Sequence, residues 1–129
     1  MPERIEELRG EDFLGANVTI PHKERVMSYL DQLGGEAGLI GSVNTIVNEK
    51  GRLRGESTDG AGFLRSIESE WGTISGAKSL ILGAGGSAKA VGFALAGAGC
   101  DIVVANRTQE RAEELIKALN AVFGEGRSR

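Results

Sequence analysis

Apolar positions in the second half of the chain follow two different spacings, which predict strands and helices in alternation. Short apolar runs at residues 79–82 and 102–105 are typical of buried strands. An alanine-rich stretch after the first run indicates a helix, and Thr108 after the second is the expected N-cap of another. The apolar residues of this last helix recur at helical spacing: Ala112, Leu115, Ile116, Leu119, Val122 and Phe123. This order predicts two parallel strands with helices packed against them.

The first half of the chain predicts shorter elements. Residues 2–9 are expected to form the end of a helix, and residues 17–20 a short strand. Pro21 is expected at the first position of a second helix, which the glycines 34–35 end. The buried face of this helix is expected to consist of Val26, Met27, Leu30 and Leu33.

A predicted hairpin completes the first half. After a helical turn over residues 36–40, the runs 43–47 and 52–55 predict two strands joined by a turn at 48–51. A connecting helix begins at Gly60. Its apolar residues are Phe63, Leu64, Ile67 and Trp71.

These changes of pattern divide the chain into residues 1–59, a connecting helix and linker over 60–75, and residues 76–129. The fold class is α/β. Residues 76–129 contain only two clear strands, whereas a doubly wound sheet needs several parallel strands covered on both faces. We therefore expect the chain to be a piece of a larger enzyme.

A glycine-rich turn joins the first strand of the last segment to its helix. It consists of Gly83, Ala84, Gly85, Gly86, Ser87 and Ala88. Gly83 permits a tight turn, Gly85 lets the backbone approach a pyrophosphate, and Ala88 allows the helix to pack closely on the strand. The amide groups at the helix start form an anion site. An ordinary turn is the alternative, but the following strand favours a nucleotide site.

The residues after the second strand indicate which dinucleotide binds. At this position an acidic residue favours NAD, whereas an arginine accommodates the 2′-phosphate of NADP. The chain has Asn106 and Arg107 here, with Arg111 in the first turn of the next helix. This predicts NADP as the cofactor. For Arg111, a solvated side chain that pairs with Glu110 or Glu114 is an equal alternative.

Several polar residues of the first half lie inside predicted strands, where apolar residues are expected, and one cation lies at a helix start, where an acidic residue is favoured. Asn17 and Thr19 interrupt a predicted strand, Asn44 interrupts another, and Lys23 lies at a helix start, where a cation is disfavoured. Local rules that are broken together suggest a site. Taken singly, each has a structural alternative, such as a helix cap at Asp59. We assign no general-base role to His22, because a histidine at a helix start is more often a surface or packing residue.

Composition excludes several other classes of protein. The 15 basic and 18 acidic residues include no basic block, so we expect no nucleic-acid partner. The single cysteine, Cys100, permits no intramolecular disulfide or zinc cluster and is expected to be a buried thiol. The N-terminus lacks the apolar core of a signal peptide, and no run of 18 apolar residues occurs. We expect a cytoplasmic protein with no membrane partner and no metal site.

Three segments of the first half resemble the shikimate dehydrogenase family: residues 15–23, residues 40–45 and residues 57–60. The glycine-rich turn and residues 106–108 are similar to the cofactor motifs of that family, in the same order. The resemblance runs from about residue 5 to about residue 119. It implies part of a shikimate-binding α/β domain followed by the first part of a Rossmann-type, doubly wound domain for NADP. It also implies the reversible, NADPH-dependent reduction of 3-dehydroshikimate to shikimate, a step toward chorismate and the aromatic amino acids.

The resemblance also assigns roles to single residues. Lys23 and Asp59 would be the catalytic pair at the reacting oxygen of the substrate. The residues implied to contact the substrate are Asn17, Thr19, Lys23, Asn44, Thr58 and Asp59. The residues implied around the cofactor are Gly83, Ala84, Gly85, Gly86, Ser87, Ala88, Asn106, Arg107, Thr108 and Arg111.

Two departures from the family pattern keep alternatives open. Ser57 replaces the asparagine that usually precedes Thr58 and Asp59, so we expect different hydrogen bonding behind the carboxylate, with the acid itself retained. The family's first strand, with its serine-containing segment for the substrate carboxylate, has no counterpart in the 129 residues. The alternatives are a quinate/shikimate-type dehydrogenase of the same superfamily and a non-catalytic nucleotide-binding fragment. A homodimer is left open.

Overall fold

The computed structural model describes residues 1–126 and residue 128. The chain forms two compact units, Met1–Thr58 and Asp59–Arg129. Each unit contains its own sheet.

The first unit is built on a four-stranded sheet. Its elements are helix α1 (Pro2–Glu7), strand β1 (Gly15–Asn17), a 3₁₀ helix (Arg25–Tyr29), β2 (Gln32–Leu33), α2 (Gly35–Ile40), β3 (Thr45–Glu49) and β4 (Arg52–Glu56). The strand order is β1-β3-β4-β2, and only the β2–β4 pair is parallel. One cluster of buried side chains forms the core: Ile5, Val18, Val26, Ala37, Val43, Ile46 and Leu53.

The predicted hairpin is confirmed, with a tighter turn than expected. Strands β3 and β4 pair from Thr45 with Glu56 to Glu49 with Arg52. Only two residues, Lys50 and Gly51, connect them, and their φ angles are 54° and 88°. Two successive positive φ angles produce the twist that joins the strands of a two-residue hairpin.

Two predictions for the first unit are wrong in their boundaries or type. The first strand ends at Asn17 instead of covering residues 17–20. The helix predicted from Pro21 does not form, because the chain makes turns up to Glu24 and then only the five-residue 3₁₀ helix. The downstream residues are drawn into the sheet: the Asp31 N–H donates to the Leu53 carbonyl at 3.0 Å, before β2 pairs with β4. Pairing with the hairpin therefore outweighs local helix propensity.

The prediction that glycines 34–35 end a helix is also wrong, because these glycines begin one. Gly34 is the N-cap of α2 and Gly35 its first residue. The Gly34 N–H donates to the Gly55 carbonyl at 2.8 Å, and a Cβ on Gly34 would lie 2.1 Å from an oxygen of Glu56. The Gly34 backbone therefore runs alongside β4, and a side chain here would have to displace the Glu56 carboxylate.

The second unit has the predicted alternation of strands and helices. It consists of α3 (Asp59–Trp71), β5 (Lys78–Leu82), α4 (Gly86–Gly97), β6 (Asp101–Ala105) and α5 (Gln109–Phe123). Strands β5 and β6 are parallel and pair from Lys78 with Asp101 to Leu82 with Ala105. Ser128 forms a further parallel bridge to Ile102. Helix α5 has Thr108 as its N-cap, as predicted, and buries Ala112, Leu115 and Leu119.

Only one face of the β5–β6 pair is buried. Ile81 and Ile102 lie on the buried face, among the core residues of this unit. On the opposite face Leu80, Leu82 and Val103 are 63%, 78% and 38% exposed. Parallel strands are usually covered on both faces, so this apolar surface is unusual.

Two predictions about side chains in the second unit have different outcomes. Cys100 is fully buried, as predicted, and its thiol lies 3.3 Å from the Ile74 carbonyl oxygen. Trp71, predicted on the apolar side of α3, is 83% exposed because it is the last residue of that helix. Among the described residues, no helix has both the length and the apolar character to cross a membrane.

Candidate active site and nucleotide site

Two backbone hydrogen bonds fasten the segment that contains Lys23 to the segment that contains Asn44. The Val18 N–H donates to the Asn44 carbonyl at 2.8 Å, and the Val43 N–H donates to the Lys23 carbonyl at 2.8 Å. Val18 and Val43 are both buried in the core of the first unit. The segments are well separated along the sequence, and the fold brings them side by side.

Asn17 and Thr19 flank the buried Val18 and are themselves exposed. Successive side chains of an extended segment point to opposite sides, so burial of the central valine turns its two polar neighbours outward. Asn17 also pairs with Thr45, the residue after Asn44, in the β1–β3 ladder. The polar residues that interrupt the predicted strand are therefore on the solvent side, next to Asn44.

The side chain of Asn44 holds the residue that precedes Asp59. Its Nδ2 donates to the Thr58 hydroxyl at 2.9 Å, and its Oδ1 accepts the Thr58 N–H at 2.9 Å. The Asn44 backbone N–H donates to the Glu56 carbonyl at 3.0 Å. Ser57 is half-buried between these two anchored residues. The three segments singled out in the first half thus meet around residues 43–44.

Lys23 lies before the 3₁₀ helix and not in its first turn, which corrects the prediction. The helix begins at Arg25, so the expected conflict between the Lys23 charge and a helix dipole does not occur. The Lys23 side chain is half-buried. Neighbouring His22 is exposed, and its N–H donates to the Thr19 carbonyl at 2.8 Å, which closes the turn.

Asp59 is the first residue of α3 and is half-buried. The next residue, Gly60, packs directly on α4: a Cβ at this position would lie 2.5 Å from the Ala90 carbonyl oxygen. The start of α3 is therefore held against α4 at a point where any larger residue would collide. Asp59 belongs to the second unit, while Lys23 belongs to the first.

The glycine-rich turn has the conformation that the sequence predicts. The φ of Gly83 is 126°, a value that side chains disfavour, and its N–H donates to the Ala105 carbonyl at 2.8 Å. Gly85 is the N-cap of α4. A Cβ on Gly83 or Gly85 would meet no atom of the described chain within 4 Å, so the protein's own packing does not require these two glycines to be small. The start of α4 therefore presents open space beside the first N–H groups of the helix, an arrangement that suits an anion.

The second half of the candidate nucleotide site begins at the end of β6. Because β5 and β6 are parallel and in register to their last residues, Leu82 and Ala105, the segments that follow leave the same edge of the sheet. Asn106 donates from Nδ2 to the Thr108 carbonyl at 2.8 Å, which closes the turn into α5. Arg107 and Arg111 are exposed there, on the side where the glycine turn begins.

Family models match most of the chain. The substrate-binding domain of shikimate dehydrogenase matches residues 1–46, and a model described as shikimate/quinate 5-dehydrogenase matches residues 65–125. The shikimate dehydrogenase (NADP(+)) of Moorella thermoacetica is 57% identical over 113 residues, which are 87% of this chain and 38% of that enzyme. The Methanopyrus kandleri enzyme of the same name is 50% identical over 129 residues, with 95% and 44% covered.

Solved structures give the same result. Shikimate 5-dehydrogenase from Thermus thermophilus, in complex with NADP(H) and shikimate, matches with a TM-score of 0.85 and 40% identity, over 100% of this chain and 47% of that chain. Quinate dehydrogenase from Corynebacterium glutamicum, in complex with NAD, matches with a TM-score of 0.88 and 30% identity, with 100% and 46% covered. The chain spans less than half the length of these relatives. With its two matching domain models and its similarity to these enzymes, the chain belongs to the shikimate dehydrogenase family.

Proposed function

We propose that the chain carries the catalytic residues and the first part of the nucleotide site of an NADP-dependent shikimate dehydrogenase. The observation that carries this proposal is the meeting of three polar segments around residues 43–44, where Asn44 binds Thr58 and the Val43 N–H donates to the Lys23 carbonyl. The proposed reaction is the reversible reduction of 3-dehydroshikimate to shikimate. We also propose residues 1–59 as part of the substrate domain, 60–75 as the connection and 76–129 as part of the nucleotide domain.

The proposed roles follow from the charge that the reaction creates. NADPH supplies a hydride, and its addition to the substrate carbonyl leaves a negative oxygen that needs a proton. In the proposed mechanism the Lys23 ammonium stabilises this oxygen and delivers the proton, and Asp59 is the second member of the catalytic pair. Asn17, Thr19 and Thr58 bear amide and hydroxyl groups suited to a polyhydroxylated ring. Asn44 acts with them and also holds Thr58 through two hydrogen bonds.

The residues present fit NADP. The N–H groups at the start of α4 and the open space at Gly83 and Gly85 suit the pyrophosphate. After β6, where NAD-binding proteins have a carboxylate, the chain has the neutral Asn106 and the cationic Arg107. The guanidinium of Arg107 can donate two parallel hydrogen bonds to the 2′-phosphate. We propose that Ser87, Thr108 and Arg111 complete the contacts with the cofactor.

A chimaeric enzyme tests the proposal. This chain would replace the matching part of the Moorella thermoacetica enzyme, to which it is 57% identical. We expect NADP-dependent oxidation of shikimate, measured as NADPH absorbance, with a larger kcat/KM than for quinate. Exchange of Gly85 for valine should abolish cofactor binding, because a side chain would fill the space for the pyrophosphate.

The chimaera also separates the alternatives. A larger kcat/KM for quinate with NAD would favour the quinate-type interpretation, which the similarity to the Corynebacterium glutamicum enzyme supports. A folded chimaera that binds NADPH but oxidises neither substrate would support the non-catalytic interpretation. A cytoplasmic location stays a prediction, and the open question of a homodimer is answered by the mass of the chimaera in light scattering.

A further inference from the structure

The side-chain amide of Asn48 forms hydrogen bonds both within the hairpin turn and to a distant stretch of backbone. Its Nδ2 lies 2.7 Å from the carbonyl oxygen of Leu8, 3.0 Å from that of Gly10 and 2.8 Å from that of Phe13. Its Oδ1 accepts the Gly51 N–H at 2.7 Å. Two amide hydrogens thus serve three carbonyl groups. The sequence alone places this residue only in the hairpin turn.

These carbonyl groups all belong to the connection between α1 and β1. The connection is also bound through the backbone, because the Asn48 N–H donates to the Leu14 carbonyl at 2.8 Å. The next residue, Gly15, begins β1, which pairs with β3 up to Asn17 and Thr45. Asn48 therefore binds the stretch of chain that leads into the strand ending at Asn17.

Without the Asn48 hydrogen bonds, strand β1 is stabilised by only a few contacts. It contains three residues and lies at the edge of the sheet, with β3 as its only neighbour among the described strands. A short edge strand frays easily, since each of its few pairs contributes little. Loss of the strand end would release Asn17 and loosen Val18, whose N–H binds the Asn44 carbonyl.

We propose that Asn48 is a positioning residue for substrate: its amide holds the α1–β1 connection on the hairpin and thereby fixes Asn17 and Thr19 at the substrate site. This role rests on the proposed function, in which these two residues contact the substrate. None of the described hydrogen bonds of Asn48 reaches Asn17 or Thr19, so Asn48 acts on them through the backbone of the α1–β1 connection.

A matched pair of substitutions tests the proposal. Asn48→Asp keeps an acceptor for the Gly51 N–H but replaces the donor with a charge that repels three carbonyl groups. Asn48→Ala removes the amide without adding charge. Glu49→Gln is the control. It replaces a carboxylate with an amide at the neighbouring residue, and it removes only a surface ion pair with Arg54.

Hydrogen exchange, followed by mass spectrometry, gives the first readout on the 129-residue chain. We expect hydrogen exchange in peptide 13–20 to accelerate by about tenfold or more in both Asn48 variants, because each variant loses roughly the stability of one net hydrogen bond. Exchange in peptide 52–56 should stay unchanged, as should both peptides in Glu49→Gln. Unchanged protection of peptide 13–20, or a loss of protection across the whole first unit, would overturn the proposal.

The kinetics of the chimaera give the second readout. In the Asn48 variants we expect KM for shikimate to rise by about tenfold, while KM for NADPH stays the same. Equal changes in both constants would overturn the positioning role. If the unmutated chimaera does not oxidise shikimate, the proposed function fails, whereas the exchange experiment still decides whether Asn48 holds β1.

Discussion

Lys23 and Asp59 are the residues on which the proposed chemistry depends most. In the chimaera, Lys23→Ala or Asp59→Asn should each lower kcat by about 10²–10⁴-fold, the usual contribution of general acid–base assistance. The double variant should be scarcely slower than the slower single variant, because groups that act as one unit are not additive. Single-turnover rates measure this, and the affinity for NADPH should stay nearly intact.

His22→Ala provides the control for this pair. His22 is exposed, adjacent to Lys23 and outside the proposed mechanism, so its removal should leave kcat within about twofold. Near-normal turnover in Lys23→Ala would remove the lysine from the mechanism. Multiplied losses in the double variant would mean that Lys23 and Asp59 act independently.

Arg107 is the residue expected to select NADP over NAD. Loss of a charge-assisted hydrogen bond to the 2′-phosphate costs roughly 1.5–3 kcal/mol, or about ten- to a hundredfold in affinity. Arg107→Ala should therefore raise KM for NADPH by that factor and leave KM for NADH almost unchanged. Arg65→Ala, which removes another exposed arginine of the second unit, should change neither constant. Equal effects on both cofactors would show that Arg107 does not bind the phosphate.

At the scale of elements, two glycines of α3 provide a matched pair. A Cβ on Gly60 would lie 2.5 Å from the Ala90 carbonyl oxygen, whereas a Cβ on Gly62 would meet no described atom within 4 Å. We expect Gly60→Ala to destabilise the second unit by about 1–3 kcal/mol through overpacking. Gly62→Ala should stabilise it by about 0.5–1 kcal/mol, since alanine loses less entropy in a helix. Urea unfolding measures both, and a stable Gly60→Ala variant would contradict the packing of α3 on α4.

The ion pair between Arg9 in the α1–β1 connection and Asp31, the residue before β2, depends on pH. The Arg9 guanidinium, followed by the Leu53 N–H, lowers the pKa of the Asp31 carboxyl below its ordinary value. A lowered pKa in the folded state means that Asp31 stabilises the fold above its unfolded pKa of about 4 and loses this effect as the pH falls through the folded value. Asp31→Asn should therefore be less stable than the wild type at pH 7, and this difference should shrink as the pH falls below the ordinary carboxyl pKa of about 4. A difference in melting temperature that persists at acid pH would contradict this.

At the scale of the whole molecule, the exposed apolar face of β5 and β6 is the feature expected to drive self-association. Leu80, Leu82 and Val103 form adjacent exposed positions on this face, and parallel strands seldom leave such a surface in water. We expect the 129-residue chain to self-associate at micromolar concentration, as seen by light scattering. Leu82→Lys should reduce the association. Leu14→Lys, a change at an exposed leucine of the first unit, should not, and a monomeric wild-type chain would contradict this prediction.

Local chemistry was enough to predict the second unit and the hairpin from sequence. Apolar runs, a glycine turn and the N-cap Thr108 indicate β5, α4, β6 and α5, because each signal concerns residues that are neighbours along the chain. The same locality explains why the positive φ of Gly83 and the burial of Cys100 could be expected.

The sequence by itself determined the family, the order of the elements in the second unit and the residue types at both candidate sites. Only the tertiary structure decided that the helix expected from Pro21 is replaced by turns and a strand, because the partner β4 follows much later in the chain. The same holds for the contact of Asn44 with Thr58 and for the three carbonyl groups around Asn48. These bonds join residues 14 to 40 positions apart, and no local periodicity records which distant groups will satisfy a side-chain amide.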